Sequence, residues 1–210
     1  MCNLYDIGPA RHARRNDWDR AIAGALEKLE KPFGVRKTDP GLVITLEGDL
    51  KVAEMRRWGF ERHFNPAVNN ARSDKLDGPW SAPWREKRRC LIPLSTWYEW
   101  NGSPGAKQTF AFQSQHPDES LWAAGLWEDG ESGPAYTMIT REASPQLAFV
   151  HHRMPALLEP ADFDAFFHAD DARDLFTAPV ADLSFFRCLN PLHHPARHQG
   201  PEEMGMLPGF

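Results

Sequence analysis

The 210-residue sequence contains only three cysteines, Cys2, Cys90 and Cys188, and none of them forms a CxxC pair. We therefore expect no framework of structural disulfides. No stretch approaches the roughly 20 apolar residues that a membrane-spanning helix needs, and the N-terminus lacks the apolar segment of a signal peptide. These absences predict a cytoplasmic protein that has no membrane partner.

The sequence also lacks a glycine-rich phosphate loop, an internal repeat and a βαβ series. Its net charge of −5 argues against a protein that binds nucleic acid by electrostatics alone. However, residues 51–100 hold 10 Lys and Arg against 6 Asp and Glu, whereas residues 101–183 hold 4 against 13. A solvated face explains such a basic block most simply, but the block leaves room for a polyanion on one side of the molecule.

A metal site is not expected either. His193, His194 and His198 cluster near Cys188, but their spacing matches no standard zinc pattern and the segment is rich in proline. We predict no metal and no cofactor.

Eighteen prolines and fifteen glycines are spread along the chain, which is typical of many short elements joined by turns. The segments LVITL and LKVAEMRRW flank Glu47-Gly48-Asp49 and predict a hairpin. Other strands are expected near 90–93, 95–100, 107–113, 120–126, 135–140 and 184–189. Helices are expected over 17–30, from Ser144 to Val150, and near 160–168 and 170–176. The prediction is a single α+β domain over residues 1–210, with a mostly antiparallel, β-rich, barrel-like core and peripheral helices.

The position of Cys2 behind the initiator methionine allows two interpretations. Cys2 is either a small apolar residue that begins a strand, or an N-terminal aminothiol after Met1 is removed, as small second residues generally permit. In an aminothiol the amine has a reference pKa of about 7.7–8.0 and the thiol one of about 8.5, so both are partly reactive near neutrality. Position alone leaves both interpretations open.

The segment TWYEW at 96–100 sets Glu99 among large aromatic residues. Strand alternation places Trp97 and Glu99 on one face and Tyr98 and Trp100 on the other. Apolar neighbours would raise the pKa of the Glu99 carboxyl, as proton transfer at neutral pH requires. An exposed glutamate at a strand edge fits this motif equally well.

Two further segments carry polar groups. In FVHHRMP at 149–155, one packed and one exposed imidazole is the commoner arrangement for His151 and His152, but a histidine at a helix C-terminus can also donate a proton. In VNNARSD at 68–74, Asn69 and Asn70 are residue types that most often form turns, and an active-site amide is the rarer role.

Taken together, these segments resemble the SOS response-associated peptidase (SRAP) family. The family pattern begins Met-Cys and continues with Asn-Ala-Arg, an aromatic-Glu-Trp strand and His-x-Arg-Met-Pro. The matching positions here, in the same order, are Met1-Cys2, Asn70-Ala71-Arg72, Tyr98-Glu99-Trp100 and His151-His152-Arg153-Met154-Pro155. RRWGF at 56–60 also looks like the family's Trp-Gly segment. The chain departs from the pattern at Asn3-Leu4, where Gly-Arg is common, and at Asp74-Lys75, where Glu-Thr is usual.

The resemblance implies a barrel-like, β-rich fold with a groove for single-stranded DNA, and a protein of the DNA-damage response that captures abasic sites covalently. The Cys2 amine would form a Schiff base with the sugar aldehyde, and the thiol would close a thiazolidine. The family pattern assigns the catalytic roles to Cys2, Asn70, Glu99 and His151. It assigns the DNA contacts to Arg72, Trp100, Thr140 and Arg153. Cys2 and Glu99 would also take part in releasing Met1, which accounts for the word peptidase.

Two other functions stay open. An N-terminal-nucleophile amidohydrolase, similar to the glutamine amidotransferases, also begins Met-Cys and attacks an amide with its thiolate. A non-catalytic DNA-binding module would merely bury Cys2. We expect a monomer whose partner is single-stranded DNA with abasic sites.

Overall fold

The computed structural model describes residues 2–8, 33–116, 120–178 and 183–193. Within these ranges the strands are β1 (Leu4–Ile7), β2 (Phe33–Arg36), β3 (Pro40–Glu47), β4 (Leu50–Trp58), β5 (Phe60–Arg62), β6 (Asn65–Val68), β7 (Asn70–Arg72), β8 (Arg89–Leu94), β9 (Thr96–Asn101), β10 (Gln108–Ser114), β11 (Leu121–Gly130), β12 (Gly133–Glu142), β13 (Arg153–Pro155), β14 (Leu157–Leu158) and β15 (Leu183–Cys188). The α-helices are Ser81–Arg85 and Phe163–His168, and the 3₁₀ helices are Ser73–Lys75, Pro160–Asp162 and Arg173–Thr177.

Five strands close into a barrel. β3 pairs with β4 and β8, β11 pairs with β8 and β12, and β12 returns to β4, so the cycle has no open edge. Four of these five pairings are antiparallel, and the β4–β12 pairing is parallel. The prediction of a strand-rich α+β fold with a barrel-like core is confirmed.

The β3–β4 hairpin shows why the local sequence folds as predicted. Leu42, Val43 and Ile44 are consecutive and buried, because β3 forms part of the barrel wall and both of its faces are covered there. Glu47 pairs with Leu50 across the turn, and Gly48 has a φ of +62°, a left-handed conformation that glycine adopts without steric cost.

A second sheet, ordered β15–β10–β9–β1–β2, brings the N-terminal strand beside β9. Tyr5 pairs with Trp97 and Asp6 with Thr96. The predicted alternation of β9 is confirmed: Trp97 stacks on Phe112 with ring centroids 4.8 Å apart, whereas Tyr98 packs against Leu4 on the other face. Because β1 and β9 are neighbours, Cys2 lies close to the strand that carries Glu99.

β7 is the element that brings the asparagine pair to the N-terminal segment. It pairs in parallel with β12 through Asn70 and Met138. Just before it, the main-chain carbonyl of Asn69 accepts hydrogen bonds from the Trp58 indole at 2.9 Å and from the Met138 amide at 3.0 Å. The barrel therefore fixes both asparagines from two sides.

The helix predictions are only partly confirmed. Residues 145–150 form hydrogen-bonded turns rather than a helix, since Ser144 and Leu147 together accept four main-chain bonds and no continuous ladder develops. The predicted 160–168 helix is a 3₁₀ turn followed by Phe163–His168, and the 170–176 segment forms the 3₁₀ helix Arg173–Thr177. The predicted 17–30 helix lies outside the described residues. Every helix in the described ranges is too short to span a bilayer.

Candidate active site

Cys2 is buried, and its main chain is held by the side chains of Asn69, just before β7, and of Asn70, the first residue of β7. The main-chain carbonyl oxygen of Cys2 accepts hydrogen bonds from Nδ2 of Asn69 at 3.0 Å and from Nδ2 of Asn70 at 2.9 Å. Its thiol points back to the carbonyl of Leu4, with a distance of 3.4 Å. Burial raises the pKa of the Cys2 thiol, and the nearby Glu99 carboxylate raises it further, so this buried sulfur is held as the neutral thiol.

Glu99 lies in β9 and is only 3% exposed. Burial raises the pKa of this carboxyl from its ordinary value of 4.5 to about 7. The cause is desolvation, because removing water disfavours the charged form. A carboxyl with such a pKa exists as a mixture of acid and base near neutrality, which is the property that a group transferring protons needs.

His151 follows the turns at 145–150, and its ring is held by the main chain of Arg153. Nδ1 of His151 lies 2.9 Å from the main-chain nitrogen of Arg153 and 3.1 Å from the main-chain carbonyl oxygen of the same residue. A neutral ring accepts at Nδ1 in the first contact or donates from Nδ1 in the second, and both contacts hold the ring in the same position. Burial lowers the pKa of His151, which favours this neutral form. Its ring stacks on that of His152, with centroids 4.4 Å apart.

Glu99 and His151 line one crevice. Its other walls come from the apolar residues Trp97, Phe112, Leu147, Val150 and Met154, and from Arg153. A carboxyl and an imidazole facing a largely apolar crevice form a small polar centre from which much of the surrounding water is excluded. Three of the four residues predicted as catalytic lie together: Asn70 donates to Cys2, and the Glu99 carboxylate acts on the Cys2 thiol. The crevice places the fourth, His151, beside Glu99.

The two arginines predicted to contact DNA share one carboxylate. Arg72 donates to Asp74 through Nε at 3.0 Å and Nη2 at 2.6 Å. Nη1 of Arg153 lies 3.2 Å from the same side chain. Hydrogen bonding from Arg72 lowers the pKa of Asp74 to about 2, so this carboxylate is ionised at neutral pH. Arg72 is exposed and Arg153 is buried, so the pair presents one accessible and one fixed cation.

Thr140 and Trp100 have structural contacts. The Thr140 hydroxyl donates to the carbonyl of Ala71 at 3.3 Å, and the Thr140 carbonyl accepts from the Arg153 guanidinium, so Thr140 ties β12 to β7 and β13. Trp100 packs against Leu4, Tyr98 and Ala111, on the β9 face opposite to Trp97 and Glu99.

The sequence did not single out Asn69 as a site residue. In the structure, however, its side-chain amide donates to the Cys2 carbonyl, as that of Asn70 does. The adjacent Asn69-Asn70 pair was the available signal, but such pairs most often form turns, so the pattern did not indicate a site role for Asn69. The sequence also gave no role to Asp74. This carboxylate pairs with both Arg72 and Arg153 only because the fold brings β7 and β13 close together. Among the described residues, no group of three or more His, Cys, Asp or Glu side chains is arranged to hold a metal ion.

A closed five-stranded barrel, with Cys2 of the N-terminal segment held beside a buried carboxyl, defines the chain as a strand-rich α+β protein with a cysteine and a glutamate at its candidate site. The chain belongs to the SOS response associated peptidase (SRAP) family, whose sequence pattern matches residues 1–186.

Curated relatives match part of the chain. The abasic site processing protein YMR114C of Saccharomyces cerevisiae is 30% identical over 139 residues, which cover 58% of this chain and 36% of that protein. The abasic site processing protein HMCES of Gallus gallus is 32% identical over 117 residues, which cover 44% of this chain and 35% of that protein. The matched region thus spans about a third of the length of these relatives.

Solved structures share the fold. A Bordetella bronchiseptica protein aligns with a TM-score of 0.69 at 22% identity, covering 90% of this chain and 100% of that one. A Bacteroides thetaiotaomicron protein aligns with a TM-score of 0.67 at 17% identity, covering 90% and 93%. At these identities the likeness concerns the fold.

Proposed function

We propose that this protein processes abasic sites in single-stranded DNA by covalent capture at Cys2, after Met1 has been removed. The observation that carries the proposal is the buried Glu99 carboxyl, with a pKa of about 7, beside the clamped Cys2. Membership of the SRAP family and the names of the curated relatives, which are abasic site processing proteins, support DNA as the substrate.

The proposed capture takes three steps: removal of Met1, formation of a Schiff base and closure of a thiazolidine ring. Hydrolysis of the bond between Met1 and Cys2 releases methionine and frees the Cys2 amine. That amine attacks the aldehyde carbon of the ring-opened sugar, and loss of water leaves a Schiff base. The Cys2 sulfur then adds to the same carbon, its proton ends on the nitrogen, and a five-membered thiazolidine closes.

The remaining residues hold groups or move protons in this proposal. His151, held at Nδ1 by the Arg153 main chain, donates a proton to the sugar oxygen as the sugar ring opens. Glu99 takes and returns protons while the Schiff base forms. Asn70 holds the Cys2 main chain, and its own Oδ1 is buried without a hydrogen-bond partner in the described part of the chain. This oxygen is an acceptor available to a polar hydrogen near Cys2.

The test is an incubation with single-stranded DNA that carries one abasic site, followed by a denaturing gel. We expect a heat-tolerant shifted band with the wild type and no band with Cys2→Ala. Mass spectrometry of the wild type should show the loss of Met1. A wild type that lacks Met1 and still forms no band contradicts the proposal.

Two controls separate the other functions. Cys90→Ala changes a second buried cysteine and should leave the band intact, because Cys90 lies inside the barrel. Hydrolysis of glutamine by the same preparation would favour an amidohydrolase. DNA binding that is non-covalent and unaffected by Cys2→Ala would favour a binding module.

A further inference from the structure

A second groove adjoins the crevice that holds Glu99 and His151. Arg153 lines both cavities, so the two share a wall. The second groove, called here the flanking groove, is also lined by Asp74, Arg141, Glu142, Arg173 and Thr177. Its free volume is about 430 Å³, which is enough for a phosphate and its sugar.

Arg141 is the unusual cation of this groove. Its Nη1 donates to the main-chain carbonyls of Phe176 at 2.7 Å and Ala178 at 2.8 Å. These carbonyls fix the orientation of the guanidinium without neutralising its charge. No carboxylate pairs with Arg141 in the described part of the chain, and its buried Nε has no hydrogen-bond partner there. Burial alone lowers the pKa of Arg141.

The other groove arginines differ from Arg141 in this respect. Arg153 shares Asp74, and Arg173 pairs with Asp77 at 2.5 Å and also with Asp171. A half-buried cation that lacks an anionic partner carries a desolvation cost, and a bound anion offsets it. A planar guanidinium held through Nη1 is already oriented, and its Nη2 is left to donate to a phosphate oxygen.

We propose that the flanking groove is a phosphate-binding subsite in which Arg141 holds a backbone phosphate of the DNA strand that reacts at Cys2. This inference rests on the proposed function, because capture of the abasic nucleotide at Cys2 is what brings the strand to the groove. Arg153 is the one lining residue that the groove and the crevice share in the described part of the chain, so the groove adjoins the crevice at a single place. The bound phosphate therefore belongs to nucleotides on one side of the abasic site.

The test measures equilibrium binding of three oligonucleotides that carry a tetrahydrofuran abasic analogue, which has no aldehyde and cannot react. The analogue is placed in the middle, at the 5′ end or at the 3′ end. Arg141→Gln should lower the affinity for the central position and for only one of the two ends. The slope of log affinity against log salt should become shallower by about 0.7, the value for one phosphate contact on a single strand.

Matched variants keep the test decisive. Arg85→Gln removes the same charge from an exposed arginine outside the groove. It should change neither the difference in affinity between the two end positions nor the slope of log affinity against log salt. Glu142→Gln removes an exposed groove carboxylate without touching the Arg141 contacts and should tighten binding severalfold, compared with Glu131→Gln at the exposed β11–β12 turn. If Arg141→Gln does not fold, the Glu142 comparison still tests the groove.

Each result has one meaning. A wild type that binds and cross-links DNA, with Arg141→Gln behaving like Arg85→Gln, contradicts only the phosphate subsite. Equal losses at both ends also overturn it, because they show that Arg141 acts without regard to strand direction. A wild type that neither binds nor cross-links DNA contradicts the proposed function and the subsite together.

Discussion

Asn70 donates a hydrogen bond from its side-chain amide to the main-chain carbonyl of Cys2 across 2.9 Å and 68 residues of sequence. Asn69 makes the same contact at 3.0 Å. Because the Cys2 carbonyl oxygen accepts from both amides, removing either side chain leaves this oxygen with one hydrogen bond. We expect Asn70→Ala to lower the free energy of unfolding by only about 1 kcal/mol, measured by urea denaturation.

The same pair predicts an asymmetry in reactivity. Asn70 also presents a buried Oδ1 that has no partner in the described residues, whereas Asn69 shares its amide with Asn3. Asn70→Ala should therefore slow cross-linking by at least about tenfold, and Asn69→Ala should slow it less. Single-turnover rates on gels provide the measurement. Equal rates for the two variants would mean that the asparagines act only by holding the Cys2 carbonyl and that the Asn70 Oδ1 has no role.

Glu99 gives a prediction for stability against pH. Its pKa is about 7 in the folded protein and ordinarily 4.5, so the folded state holds the proton more tightly than the unfolded chain. Stability from this group is therefore fully present below pH 4.5 and is lost as pH rises through 7. Glu99→Gln should remove this loss, gaining up to about 3 kcal/mol over wild type between pH 5 and pH 8.

The measurement is urea unfolding at four pH values from 5 to 8. Glu47→Gln, which changes an exposed glutamate at the end of β3, is the matched control and should follow the wild type. The same Glu99→Gln protein should cross-link more slowly and retain more Met1. A parallel decline of Glu99→Gln and wild type with pH would show that Glu99 is not the buried titrating group.

His151 and His152 stack on each other but differ in their surroundings. His151 is half-buried, lines the crevice and contacts the Arg153 main chain through Nδ1, while His152 is exposed. We expect His151→Ala to slow cross-linking by about 10²-fold, the ordinary contribution of a positioned proton donor, and His152→Ala to slow it little. The opposite order would assign proton donation to His152.

Asp74 occupies the space between two cations that are proposed to meet phosphates. Removing its charge by Asp74→Asn frees Arg72 and Arg153, so binding to undamaged single-stranded DNA should tighten severalfold and depend more steeply on salt. Asp129→Asn is the control, because Asp129 is an exposed carboxylate that pairs with Arg56 instead. Titrations at several salt concentrations provide the comparison, and identical salt slopes for the two variants would be the contrary result.

Gly41 tests the packing of the barrel. A methyl group at this position would overlap the hydroxyls of both Tyr5 and Tyr136, which contact each other in the core. Gly41→Ala should lower the free energy of unfolding by about 3 kcal/mol. At Gly78 an added methyl meets only the Lys75 carbonyl at 3.4 Å, so Gly78→Ala should cost far less in the same denaturation experiment.

The local sequence pattern predicted many of the strands correctly. The alternation of β9 separated Trp97 and Glu99 from Tyr98 and Trp100, and the Glu47–Leu50 turn defined the first hairpin, because both depend on side-chain period and turn chemistry within a few residues. The helix expected from Ser144 to Val150 was wrong, since capping signals alone do not lengthen so short a segment into a hydrogen-bonded ladder.

The sequence by itself determined the residue types of the site and the family that their order resembles. Only the tertiary structure decided that two asparagines hold the Cys2 carbonyl, that Asp74 is shared by Arg72 and Arg153, and that Arg141 has no acidic partner among the described residues. The physical reason is that hydrogen bonds and charge pairs act over a few ångströms in space. Closure of the barrel, which depends on pairing distant strands, determines which side chains come that close.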